Sequence, residues 1–100
     1  MKKSLRQKLD EIYMRHQEIE ELLSDQNIAN DIYKYKNLSV EYSKLDLIVQ
    51  DYKKYLANES SLKESEEISK NETGDLKKLA EEEIRISKDE TTLIEKNLEI

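Results

Sequence analysis

The chain has a single histidine, His16, four residues before Glu20. An i, i+4 pair sets two ligand groups on one helix face, as metal-binding helices require. A metal centre needs three or four such groups, and there is no second His and no Cys. His16 also falls on the apolar stripe of its own segment, so a half-buried packing histidine outweighs a ligand or a general base. "IYKYK" (32–36) interleaves aromatics with lysines in the manner of an RNA-binding surface. On a helix, however, Lys34 and Lys36 point roughly 200° apart and Tyr35 joins the apolar stripe, so no continuous basic-aromatic platform forms. "EEE" (81–83), with Asp75 and Asp89 nearby, invites a cation site, but acidic runs on helices are ordinarily solvated and no calcium-loop pattern is present. One glycine cannot build a phosphate-cradling loop or a nucleophile elbow. The sequence therefore assigns no catalytic, cofactor-binding or metal-binding residue, and implies no cofactor and no enzyme activity for these 100 residues.

The composition says what kind of frame carries these groups. There is no Pro, Phe or Trp, Gly occurs once, and 40% of residues are charged against 36% hydrophobic. Hairpin turns have almost no residues to form them, and the apolar side chains suffice for stripes but not for a thick core. The expected fold class is all-α: an elongated antiparallel helical bundle, with a long αα-hairpin, a third long helix and a short helix in the connector. Absence of cysteine removes disulfides and thiolate chemistry. The longest aliphatic run is Leu47-Ile48-Val49, too short for a membrane span, and "MKKSLRQKLDE" lacks the apolar core of a signal peptide. The expected location is cytoplasmic. Charge is uneven: through Leu56, ten basic residues balance ten acidic ones, whereas seven face thirteen from Ala57 onward, which is the whole net charge of −6. An acidic half repels phosphate backbones, so a protein partner is expected and direct nucleic-acid binding is not.

Hydrophobic spacing predicts the elements. Leu5, Leu9, Ile12, His16, Ile19 and Leu23 advance by fours and threes, predicting a helix over about 4–23 that packs lengthwise on a neighbour. Ser4 and Gln7 have capping-box spacing. "SDQN" (24–27) breaks this helix and offers Asp25 and Asn27 as caps. Ile28, Ile32, Tyr35, Leu38, Tyr42, Leu45, Val49, Tyr52 and Leu56 continue the same alternation, predicting a helix over 28–57 that folds back antiparallel. The connector 58–74 is polar, with Ser61 and Glu64 placed to cap a short helix over 61–70. The last helix, 75–99, follows Thr73-Gly74 and carries two adjacent stripes. Leu76, Leu79, Ile86 and Leu93 form one, and Ala80, Ile84, Ile94 and Leu98 the other. A face that wide suits a helix lying in the groove of the hairpin. All three long helices belong to a single domain spanning 1–100.

Beyond the periodicity, the residues themselves resemble a known family. Leu9, Ile12, Arg15, His16, Glu18, Ile19, Leu22 and Leu23 follow the opening-helix pattern of bacterial class-1 peptide chain release factors. "DIYKYKNLSVEYSKLDLIVQDYKKY" is similar to their second helix, with Asp31, Lys34, Tyr35, Lys36, Leu38, Ser39, Glu41, Tyr42, Leu45, Val49 and Tyr52 in register. "DLKKLAEEEI" (75–84) resembles the L-A-x-E-E segment of the third long helix. The Trp-centred segment of the UGA-reading factor is absent, so the UAA/UAG-reading type is the closer match.

The resemblance implies a part of such a factor, its amino-terminal helical domain. The codon-reading tripeptide and the Gly-Gly-Gln loop lie downstream in the family and are absent from this sequence. What it implies for the domain is translation termination on the ribosome, docking near the stalk base of the large subunit, and an influence on recycling by the GTPase release factor. Two other readings share the helical pattern. A free-standing coiled-coil adaptor or scaffold protein would use the same stripes to pair with a second chain. The helical arm of a tRNA synthetase would need basic tips, which the acidic second half does not provide.

Overall fold

The computed structural model describes residues 1–99, and among them there are four helices and no strand: α1 (Lys3–Leu23), α2 (Gln26–Ala29), α3 (Ile32–Asn71) and α4 (Asp75–Leu98). The fold is all-α. The chain divides into two compact units, Met1–Gln50 and Asp51 onward, with α3 contributing residues to each.

In the first unit, α1 buries Leu9, His16 and Ile19, and α3 buries Val49, with Leu5, Ile12, Leu23, Leu38, Tyr42 and Leu45 half-buried. Ile19 is fully enclosed, a burial that contributes about 1.5–3 kcal/mol. The start of α1 differs from the capping-box expectation. Its N-cap is Lys2, with no side-chain hydrogen bond, and the Arg6 amide donates to the Lys2 carbonyl at 3.0 Å. Ser4 thus lies inside the first turn, where its hydroxyl cannot reach the amides a cap serves. After Leu23 the chain makes a single helical turn, α2, capped by Asp25, whose carboxylate accepts from the Asn27 amide at 2.9 Å. Asn27 donates there and does not cap.

The long helix begins at Ile32 and not at Ile28. Asp31 sets that start: its side chain accepts from the Lys34 amide at 3.2 Å and its carbonyl from the Tyr35 amide at 2.9 Å. Ile32 and Tyr35, expected on the covered stripe, are 77% and 42% exposed. The register explains this. His16 meets Asp46 and Glu20 meets Tyr42, so partners on α3 fall as numbers on α1 rise, and the helices run antiparallel. Extrapolated, that pairing brings the end of α1 opposite the residues around Ser39, leaving the first turn of α3 beyond it.

In the second unit the expected break at 57–61 is absent, and α3 continues through Ser61 and Glu64 to Asn71. Neither residue caps anything, because both lie in a helix interior. The segment has no Gly or Pro, and its Glu, Lys, Leu and Ala residues favour helix. Its packing stripe is written mostly in small polar residues: Asn58, Leu62, Ser65 and Ser69 are half-buried at steps of four, three and four. Opposite, α4 buries Ala80, Ser87 and Leu98, and small side chains on both helices permit close approach. Tyr52 and Tyr55 are buried on α3, their rings stacked with centroids 6.2 Å apart.

Residues 72–74 reverse the chain. Gly74 adopts φ 68°, a conformation that side-chain-bearing residues rarely reach, and α4 starts at the next residue. Asp75 in the first turn of α4 complements the helix dipole. Of the two stripes expected to bury α4, only that of Ala80, Ile84, Ile94 and Leu98 is covered; Leu76, Leu79, Ile86 and Leu93 are exposed.

Candidate functional site

The densest constellation of polar side chains is the seam between α1 and the first half of α3. It is centred on His16, only 2% exposed. A buried imidazole must find partners for its ring nitrogens. Nε2 lies 2.8 Å from Asp46 Oδ1. Because a carboxylate only accepts, Nε2 carries the proton and donates. The other nitrogen, Nδ1, is 3.9 Å from Glu20 Oε1. One face of the imidazole stacks on Tyr42, with ring centroids 4.4 Å apart and planes 23° from parallel. The Tyr42 hydroxyl in turn donates to Glu20 at 2.8 Å. That bond, with burial and the nearby carboxylates, raises the Tyr42 hydroxyl above the usual phenol range.

One residue earlier on α1, Arg15 reaches across to Glu41 with two parallel bonds, Nε at 2.7 Å and Nη2 at 3.0 Å. A forked guanidinium–carboxylate pair fixes geometry as well as charge. Hydrogen bonding from Arg15 holds the Glu41 carboxyl below its ordinary range, against the opposing effect of burial. The Arg15 guanidinium is raised correspondingly, first by Glu41, with Glu18 on its own helix adding a bond at 3.0 Å. The pair is half-exposed, so solvent screens much of its strength.

A His–Asp pair resembles part of a catalytic relay, but this ring is 2% exposed and enclosed between Asp46, Glu20 and Tyr42. Its chemistry is that of a clasp: it fixes the register of two antiparallel helices through directional bonds, where an apolar stripe alone would tolerate sliding. His16 and Glu20 face each other as the i, i+4 spacing predicts, but Asp46 is the closer partner. Sequence reasoning did not single out Asp46. A histidine on a packing stripe needs an acceptor from the facing helix, and the antiparallel register points to the residues around Asp46.

The other candidates remain separate. Lys34, Tyr35 and Lys36 are all exposed at the start of α3. Glu81, Glu82 and Glu83 are exposed on α4, where Glu82 is bound by Arg85 and held below the usual carboxylate range by that bond. Arg85 also lies 3.7 Å from Asp89. Among the described residues no group of three or more His, Cys, Asp or Glu side chains is arranged to hold a metal ion, and no helix is long and apolar enough to cross a membrane.

The residues of this clasp overlap with those carrying the sequence resemblance: Arg15, His16, Glu18, Glu41 and Tyr42 each take part. No solved structure matches the chain. The PCRF domain, the peptide chain release factor domain, matches residues 12–100, a span that contains the whole clasp and most of the helical residues of both units. The chain therefore belongs to the peptide chain release factor family, whose work is translation termination.

Proposed function

We propose that these residues are the amino-terminal helical domain of a class-1 release factor of the UAA/UAG-reading type. In this reading the domain is a docking module without catalytic groups of its own, working in the cytoplasm on the ribosome. It contacts the stalk-base region of the large subunit and influences the GTPase release factor. The observation that carries the reading is the family match over residues 12–100, in which the motif residues Arg15, His16, Glu41 and Tyr42 form one interhelical clasp. The lack of tryptophan supports the UAA/UAG type over the UGA type. The acidic second half favours protein over nucleic acid as the surface met.

The test is a graft of residues 1–100 onto the codon-reading and Gly-Gly-Gln domains of a UAA/UAG factor in reconstituted termination. The expected result is peptide release at UAA and UAG, with turnover stimulated by the GTPase factor. A chimera that neither associates with ribosomes nor releases peptide refutes the assignment. The adaptor reading draws on the uncovered stripe of α4 and predicts a tight dimer in sedimentation, where the release-factor reading expects a concentration-independent monomer.

A further inference from the structure

The second unit has a face that its own packing leaves open. Leu79, Ile86 and Leu93 recur at seven-residue intervals on α4, so they form one row, turned away from the row of Ala80, Ser87 and Leu98 that α4 buries. Leu79 is 64% exposed, Leu93 63% and Ile86 37%. The row runs into a shallow groove of about 370 Å³ between α4 and α3, lined by Ala57, Leu93 and Ile94, with Lys54, Asn58 and Glu90 at its edges. On α3, Ala57, Glu64 and Ile68 share one side by their spacing, and Ile68 is exposed. Glu83 and Glu90, on α4 beside the apolar row, have no salt-bridge partner among the described residues. Neither does Glu64 across from them. An apolar trough bordered by Glu64, Glu83 and Glu90, against Lys54 at the groove's edge, is acidic on balance and has a basic complement.

We infer that this face of residues 57–93 binds a basic amphipathic helix, one with a leucine-type seam flanked by Lys and Arg. The seam covers Leu79, Ile86 and Leu93, completing a three-helix packing with α3 and α4, and the flanking cations meet Glu64, Glu83 and Glu90. Heptad spacing of the row fits a partner packed lengthwise. The carboxylates select against an acidic helix, including a second copy of this α4, whose own row is flanked by glutamates. The inference stands on the second unit alone and does not depend on stop-codon type or ribosome site.

The experiment uses the full chain and a synthetic helix of about 21 residues, three heptads, with Leu at the seam and Lys and Arg beside it. Its controls are a scrambled peptide of identical composition and a peptide with Glu in place of each cation. Binding is read by fluorescence anisotropy and mapped by amide chemical shifts. Expected are shifts confined to the α3 and α4 residues of the trough, and affinity about tenfold or more above the scrambled peptide. Ile86→Lys with Leu93→Lys abolishes binding, and Glu83→Lys with Glu90→Lys transfers preference to the Glu peptide. Circular dichroism confirms that these surface variants remain helical. Equal binding of ordered and scrambled peptides overturns the inference, since only net charge is then recognised. Self-association that buries Ile86 and Leu93 and excludes the peptide overturns it in favour of a second copy.

Discussion

Asp46→Ala removes the acceptor of the buried His16 ring, and the cost follows from how His16 is enclosed. The ring is 2% exposed while Asp46 is 35% exposed, so in Asp46→Ala water approaches Nε2 only from the Asp46 side and rehydrates it incompletely. A stranded buried donor costs about 1–3 kcal/mol. Asp46→Asn keeps a carbonyl oxygen at the same reach, so its cost stays under about 1 kcal/mol. Asp46 also accepts from Gln50 at 3.2 Å within α3, an exposed i, i+4 contact worth about 0.2–0.5 kcal/mol. The loss of that contact, with whatever else Asp46 meets, is what Asp46→Ala retains in a His16→Phe background, where no ring donor is left to strand. The double-mutant cycle therefore yields a coupling of about 1–2 kcal/mol, read from urea unfolding followed by far-ultraviolet circular dichroism. If Asp46→Ala and Asp46→Asn agree within about 0.3 kcal/mol, or if the Ala cost is unchanged in the His16→Phe background, the clasp argument fails.

Ile19→Ala, at a fully enclosed site, is expected to cost about 2–4 kcal/mol, whereas Leu79→Ala on the open row stays within about 0.5 kcal/mol; parallel urea titrations compare them. Gly74→Ala meets no atom within 4 Å but keeps a positive φ, so the penalty is conformational, about 1–3 kcal/mol, with helix content by circular dichroism unchanged. Glu41 has a folded-state pKa below the ordinary 4.5, so its contribution is present above pH 4.5 and is lost as pH falls through the lowered folded value. Glu41→Gln is therefore expected to lessen the fall in urea midpoint between neutral and acid pH while lowering stability at neutral pH. An unaltered acid limb would show that Arg15 does not bind Glu41 in solution.

The α1 stripe was legible because Leu9, Ile19 and their neighbours are apolar at regular steps, and burial follows that rhythm. The start at Asp75 was legible too, because Gly74 is the only residue of its kind. Other boundaries were decided by terms that apolar spacing does not carry. Asp31 ends the α2 turn and opens α3 by hydrogen bonding, so Ile28 drops out of the long helix although it fits the period. Asn58, Ser65 and Ser69 pack without being apolar, so a helix that the pattern divides at residue 57 runs on to Asn71. At the clasp, Arg15, His16, Glu41 and Tyr42 were visible as a family pattern, but their mutual pairing needs the interhelical register. Asp46 becomes identifiable only when that register is known.

The serine-built packing of the second unit has a dynamic consequence. Toward the reversal at Gly74, Leu62 is half-buried and Ala80 is small, while Ile68, Leu76 and Leu79 are exposed. Little apolar area opposes opening there, so the tip sits at the low end of the local stability range while α1 and its facing turns sit at the high end. Amides near residues 66–80 should exchange with solvent through small, frequent fluctuations, and those around Ile19 and Val49 only through larger ones. Fluctuation at that reversal leaves the His16–Asp46 seam of the first unit intact, so local compliance and a fixed helix register coexist in one short chain.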